Sequence, residues 1–152
     1  MFILRVIEAL KGHRVAYAIV GGYAVALHGA VRGTVDIDII VKLSQKSLTA
    51  AERALTSIGL QSRIPVSASD VFEFRKEYIE KRNLVAWSFS NPNNPTEVVD
   101  IIITHDLSHM RTKTLTVNGV AVQILSLKDL IDMKRASGRP QDLEDVKALE
   151  KL

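Results

Sequence analysis

Two aspartates two residues apart, Asp36 and Asp38, carry the sharpest chemical signal in this chain. They belong to Asp36-Ile-Asp-Ile-Ile-Val41, whose β-branched content predicts a strand. Residues two apart on a strand share a face, with Cα atoms about 6.6 Å apart. Ile37, Ile39 and Val41 fill the other face, so the strand is buried at least on that side. Like charges placed together raise each other's energy, and burial enlarges the cost. Either a divalent cation removes that cost, since Mg²⁺ prefers carboxylate and phosphate oxygen, or the pair lies on the solvent face of a half-exposed strand. Asp100 adds a third acid, embedded in Val98-Val99-Asp100-Ile101-Ile102-Ile103. It is either a strand-end acid facing water or, if its strand neighbours the first, the third carboxylate of a two-metal phosphoryl-transfer site.

Gly21-Gly22 follows one predicted strand and precedes a helix. Glycines there let backbone approach a phosphate, although a tight turn wants glycine for steric reasons alone. The G-x-G-x-x-G dinucleotide fingerprint is absent, as is the G-x-S-x-G elbow of a hydrolase. Lys134 falls on the apolar helical stripe of Leu127, Leu130 and Ile131, where an ammonium either snorkels out or reaches an anion. Asp142 shares a helix face with Val146 and Leu149; an acid in a first helical turn, such as Asp142 and in part Asp145, is also explained by the helix dipole. His105 and His109 stand four apart in a loop-like stretch with no third ligand in reach, an unfavoured zinc site. His13 and His28 read as structural or surface residues. Arg75-Lys76 and Lys81-Arg82 alternate with Glu73, Glu77 and Glu80, which predicts a solvated helix face rather than a nucleic-acid stripe.

The frame that must position these residues is small. At 152 residues, 47% hydrophobic and 24% charged, the chain fits one globular domain over 1–152, and disorder is excluded. A net charge of +3 is too mild to announce a nucleic-acid binder. With no cysteine, disulfides, thiolate zinc and iron–sulfur clusters are excluded, so any metal sits on oxygen or imidazole. The longest apolar run, Val15–Leu27, is broken by Gly21-Gly22 and too short for a bilayer. The first residues lack a signal-peptide pattern, and the expected compartment is the cytoplasm.

Hydrophobic periodicity predicts a helix over 2–11 stopped by Gly12, a strand over 15–20, a short helix over 23–28 and a strand over 36–41. A helix carrying Leu48, Ala51, Leu55 and Ile58 follows, and Ser67-x-x-Asp70 opens another with Val71, Phe74 and Tyr78 aligned. Strands are expected at 84–89 and 98–104, with Asn91–Pro95 as the loop between them. Asn118-Gly119 predicts a type I′ hairpin between 114–117 and 120–125. Ser126 caps a helix to about Ser137, and Pro140 starts the last one. The fold class is α+β (α/β-like): a mixed β-sheet flanked by helices, closing with a hairpin and two helices.

The run from Gly21-Gly22-Tyr-Ala-Val-Ala-Leu-His through Arg32-Gly-Thr34-Val-Asp36-Ile-Asp38 resembles the opening motif of the nucleotidyltransferase superfamily. More narrowly it resembles the AbiEii-type branch and its small bacterial relatives, some of them toxin–antitoxin components. Asp100 matches the family's third carboxylate; Asp-Met-Lys134-Arg-Ala and Arg139-Pro-Gln-Asp142-Leu-Glu-Asp145 match its looser Lys and Asp motifs. The wider superfamily has Gly-Ser where this chain has Gly21-Gly22, which removes one hydroxyl contact to phosphate. The resemblance spans roughly residues 15–150. It implies a nucleotidyltransferase-fold sheet and a Mg²⁺- or Mn²⁺-dependent enzyme moving a nucleoside monophosphate from a nucleoside triphosphate to a hydroxyl acceptor: RNA, a protein side chain or a small molecule. Asp36, Asp38 and Asp100 then hold metal, with Asp100 helping to activate the acceptor. Gly21, Gly22, Lys134 and Asp142 serve the nucleotide, and Arg32 and Thr34 either buttress the metal strand or touch nucleotide. No membrane is implied, while a second copy or a cognate partner protein would supply what so short a chain lacks for the acceptor. The alternative is a catalytically silent module of the same fold that binds nucleotide or a partner.

Overall fold

Seven strands rich in β-branched residues form one mixed sheet flanked by helices in the computed structural model, which describes residues 1–33 and 36–152. In chain order the elements are α1 (Phe2–Gly12), β1 (Tyr17–Val20), α2 (Gly21–Leu27), β2 (Ile37–Val41), α3 (Gln45–Ser57), β3 (Gln61–Ser62) and α4 (Ala68–Arg82). There follow β4 (Ala86–Asn91), β5 (Asn94–Ile102), a 3₁₀ turn (Leu107–His109), β6 (Thr112–Val117), β7 (Val120–Leu125), α5 (Leu127–Ser137) and α6 (Pro140–Glu150). The order across the sheet is β3-β4-β5-β2-β1-β7-β6. At its centre β2 runs antiparallel to β1 and parallel to β5, and β7 lies parallel to β1.

Local chemistry explains most boundaries. Ile3, Val6, Ile7 and Leu10 give α1 its buried stripe. Ser44, Ser67 and Ser126 cap α3, α4 and α5 by accepting from backbone N–H groups of Ser47, Asp70 and Asp129. Asn118 (φ 49°) and Gly119 (φ 78°) both turn left-handed, as the type I′ turn between β6 and β7 requires. The central strands carry the core: Ile19, Ile37, Ile39, Ile40, Val41, Val99 and Ile101 are all sealed from solvent.

The structure corrects several boundaries. The expected loop Asn91–Pro95 is largely strand, because β4 and β5 meet in a tight hairpin and pair again at Asn91 and Asn94. The Asn91 carboxamide accepts from the Asn93 N–H and so forms the turn that Asn-Pro-Asn-Asn suggested. Pro95 falls within the register shift beside Ser90/Asn91, where its missing N–H breaks no ladder bond. Strand β2 begins at Ile37 rather than Asp36, α2 begins at Gly21 rather than Tyr23, and two-residue β3 was too short to leave a pattern. On α4, Arg75 is not merely solvated: it donates to the Ile103 carbonyl, 2.9 Å away, and fastens the helix to the end of β5.

Candidate active site

Parallel pairing of β2 with β5 brings two of the three singled-out acids together, since Asp38 stands directly opposite Asp100. On the other side of β2, Asp38 pairs with Val20, the last residue of β1, so the Gly21-Gly22 turn sits beside its carboxylate. Gly21 has φ 65°, and a Cβ built on it would lie 2.0 Å from Asp38 Oδ2. Glycine is therefore required there twice, by backbone conformation and by space. Asp100 lies within β5 rather than at its end, and the Ser88 hydroxyl on β4 donates to its Oδ1 at 2.5 Å. Asp36 lies just ahead of β2, exposed, on the wall of the same cavity.

That cavity, of about 850 Å³, gathers most of the expected site residues: Gly21, Gly22, Arg32, Asp36, Asp38, Asp100 and Lys134 all line it. Thr34 lies outside the described residues. Asp142 borders an adjoining small cavity with Asp38 and Lys134. Burial raises the Asp38 carboxyl to about 7, helped by the Asp100 charge and a hydrogen bond between the two side chains, with a smaller push from Asp36; Lys134 opposes the rise. A protonated Asp38 thus stands beside Asp100 at neutral pH or below. Among the described residues no three His, Asp or Glu side chains form a ready-made metal cage. The donor set nonetheless suits a hard divalent ion: it is all oxygen, and a cation would offset the Asp100 and Asp36 charges that add to the effect of burial on Asp38.

One pH effect follows with a definite sign. Folded Asp38 keeps a proton between its ordinary 3.8 and about 7, whereas the unfolded chain has released it. The folded state binds more protons across that window, so this contribution to stability is full below pH 4 and lost as pH rises through 7. In chelator, the protein is expected to be more stable at pH 5 than at pH 8 by roughly 1–4 kcal/mol. Asp142 works the opposite way but only between 3.8 and about 2, below this window, whereas His105, its pKa lowered by burial, opposes and reduces the Asp38 effect below its ordinary 6.5. Thermal melts of the protein and of Asp38→Asn, whose profile is expected to flatten, check this.

The opposite wall is built by α5 and α6. The Lys134 ammonium does not snorkel: the residue is 7% exposed and pairs with Asp142 Oδ1 at 3.4 Å and Asp145 Oδ2 at 3.0 Å. Burial alone would raise Asp142, but Arg139, Ser137 and Lys134 outweigh it and lower the carboxyl to about 2. Asp145 is likewise held below the ordinary range against its burial by Lys134, Gln141 and Arg32. Asp142 also accepts from the Arg139 N–H, so it still serves the first turn of α6.

Three further residues at this site carry little or no signal of that place in the sequence. Ser88 has no motif, and only its register opposite Asp100 reveals it. Arg139 stands in the sequence only as the first residue of the Asp motif, yet it lines the cavity. His105 stands in the sequence only as half of an unfavoured zinc pair. It too lines the cavity, with Nδ1 2.8 Å from the Thr104 hydroxyl and its pKa lowered by burial, while His109 is exposed on the 3₁₀ turn.

A family model described as "Nucleotidyltransferase of unknown function (DUF6036)" matches residues 3–150. The chain belongs to this nucleotidyltransferase family. No curated protein matches it. Solved nucleotidyltransferases share its fold. The lincosamide antibiotic adenylyltransferase LnuA, lincomycin-bound, aligns with a TM-score of 0.65 at 11% identity over 98% of this chain and 94% of that one. ANT(2'')-Ia in complex with adenylyl-2''-tobramycin gives 0.60 at 13% over 97% and 84%. An antigenic nucleotidyltransferase-like protein from Paracoccidioides brasiliensis gives 0.59 at 19% over 97% and 74%. The nucleotidyltransferase chain has no helix, among its described residues, long and apolar enough to cross a membrane.

Proposed function

We propose that this family member is a Mg²⁺- or Mn²⁺-dependent enzyme that moves a nucleoside monophosphate from a nucleoside triphosphate onto an acceptor hydroxyl. The observation that carries this reading is Asp38 opposite Asp100 in a cavity also lined by Arg32, Lys134 and Arg139. Asp36, Asp38 and Asp100 would hold the ion, which when bound stabilises charge on the phosphoryl oxygens as a Lewis acid. Gly21 and Gly22, which line the cavity at the start of α2, offer backbone N–H groups with no side chain of their own, and Lys134 opposes the charge that grows on the leaving pyrophosphate. Asp100 takes the proton of the acceptor hydroxyl as its oxygen attacks the α-phosphorus in line with the departing pyrophosphate. Arg32 and Thr34 buttress the start of β2 or meet the nucleotide, and Asp142 acts on the nucleotide by holding Lys134.

The proposal takes the chain as one domain over 1–152 acting in the cytoplasm, with a second copy or a cognate partner helping to present the acceptor. Kinship with the AbiEii-type branch, and with it a toxin–antitoxin role, rests on the Gly21-Gly22 and Asp36-Ile-Asp38 motif. The acceptor class spans RNA, a protein side chain or a small molecule; similarity to adenylyltransferases seen with lincomycin and an adenylylated tobramycin supports keeping the last.

One observation favours a silent binding module instead: two carboxylates already neutralise Lys134. Incubation with each of the four α-labelled triphosphates, divalent metal and total RNA or lysate separates the two. Label on an acceptor, absent with Asp38→Ala, is the expected result. Silence with all four, alongside retained nucleotide binding, selects the silent module.

A further inference from the structure

Asp145 has no place in the proposed chemistry, yet it is 2% exposed and stands where two cavity-lining cations meet. Its Oδ1 accepts from Arg32 Nε at 3.0 Å and from Gln141 Nε2 at 3.0 Å, and its Oδ2 pairs with Lys134 at 3.0 Å. These partners come from the segment between α2 and β2, from α6 itself and from α5. Asp142 differs: it shares Lys134 but turns its other contacts to Arg139 in its own helix turn and to Ser137 at the end of α5, not to Arg32. The helix dipole explains Asp142 at the third position of α6 but falls off before Asp145, one turn further on. Nor does the ion pair explain itself through stability, since replacing buried ion pairs by apolar residues is often neutral or stabilising. Its distinctive effect is geometric: one carboxylate fixes the separation of two cations, one of which leads the chain into Asp36 and Asp38.

We propose that Asp145 is a positioning residue of the triphosphate pocket, holding Arg32 and Lys134 at the spacing at which both meet the phosphates. This rests on the nucleotide-binding reading above and adds that Arg32 faces the nucleotide rather than only bracing β2. A phosphate chain spreads its charge over several oxygens, so two cations fixed by a shared anchor bind it more tightly than two that must be ordered on binding. Asp145→Asn keeps the shape but removes the charge that orients both partners.

Titration calorimetry of the whole chain with Mg²⁺ and ATP, repeated with the other three triphosphates, tests the proposal. Asp145→Asn is expected to weaken the best-bound triphosphate about tenfold, as loss of a charge-assisted contact does. Mn²⁺ binding without nucleotide, followed by electron paramagnetic resonance, is expected to stay within about twofold, because the carboxylates on β2 and β5 are untouched. Arg32→Gln is expected to weaken triphosphate binding similarly, and the double variant no further than either alone. A merely structural Asp145 would instead give losses that add. Additive losses, or triphosphate binding by Asp145→Asn equal to that of the unaltered protein, overturn the proposal and leave the nucleotide reading standing. Absence of triphosphate binding by the unaltered protein overturns both. If Asp145→Asn does not fold, as judged by circular dichroism and melting, Arg32→Gln alone decides: tenfold weaker binding supports the proposal and unchanged binding overturns it.

Discussion

Asp38→Ala is expected to abolish Mn²⁺ and ATP binding in calorimetric titration and to cut label transfer by on the order of 10³-fold or more. Asp38 borders Gly21 on one side and Asp100 on the other, so no second carboxylate can take its place in the central strand. The same substitution should leave folding intact or improve it. Near pH 8 Asp38 is ionised against its burial and, to a lesser degree, against the Asp100 charge, which together push it up to about 7, and removing it relieves both costs. A melting temperature equal to or above that of the unaltered protein, together with lost binding, is the signature of a group retained for function at a cost in stability. Asp38→Ala binding Mn²⁺ and ATP as the unaltered protein does would sink the metal reading.

Gly21→Ala has the second largest expected effect, and it works through shape alone. The new methyl would lie 2.0 Å from Asp38 Oδ2 and 2.8 Å from its Cγ, while the backbone sits at φ 65°. Left-handed backbone costs a non-glycine residue roughly 1–2 kcal/mol, and overpacking adds roughly 1–3 kcal/mol. The expected loss of stability is therefore about 2–5 kcal/mol, with Asp38 driven out of line with Asp100. For a chain of this size that is a fall in melting temperature of roughly 5–20 °C. Gly33→Ala, which meets nothing within 4 Å, is the matched control and should melt within about 2 °C of the unaltered protein. Equal melting of the two variants would show that Gly21 is not under the constraint described.

What the sequence made legible was what has a period or a cap. The buried stripe of α1, the Ser67 and Ser126 caps and the Asn118-Gly119 hairpin each rest on residues close in the chain, and each forms as the local chemistry requires. Asp38 and Asp100 were legible as types, acids in apolar runs, but their meeting was conditional on which strands became neighbours. No local pattern encodes that choice, which is made by packing across the sheet. Ser88 shows the limit most clearly, since a serine in a short strand carries no signal until the β4–β5 register places it on Asp100. Lys134 was half legible: its stripe marked it as anomalous, but only the return of α6 against α5 supplies the carboxylates that keep it from solvent.

The parallel β2–β5 pairing also bears on the order of events in folding. Two mutually repelling carboxylates are joined by strands distant in the chain, so closing the long intervening segment must precede any gain from the contact. The central strand seam is thus expected to form late while its acids are ionised, and whatever neutralises them favours its closure. A proton does this in acid, and a cation bound there would do it at neutral pH, so the ion proposed for catalysis would act first as an aid to assembly. Ionic conditions during refolding would then govern how quickly the sheet becomes continuous.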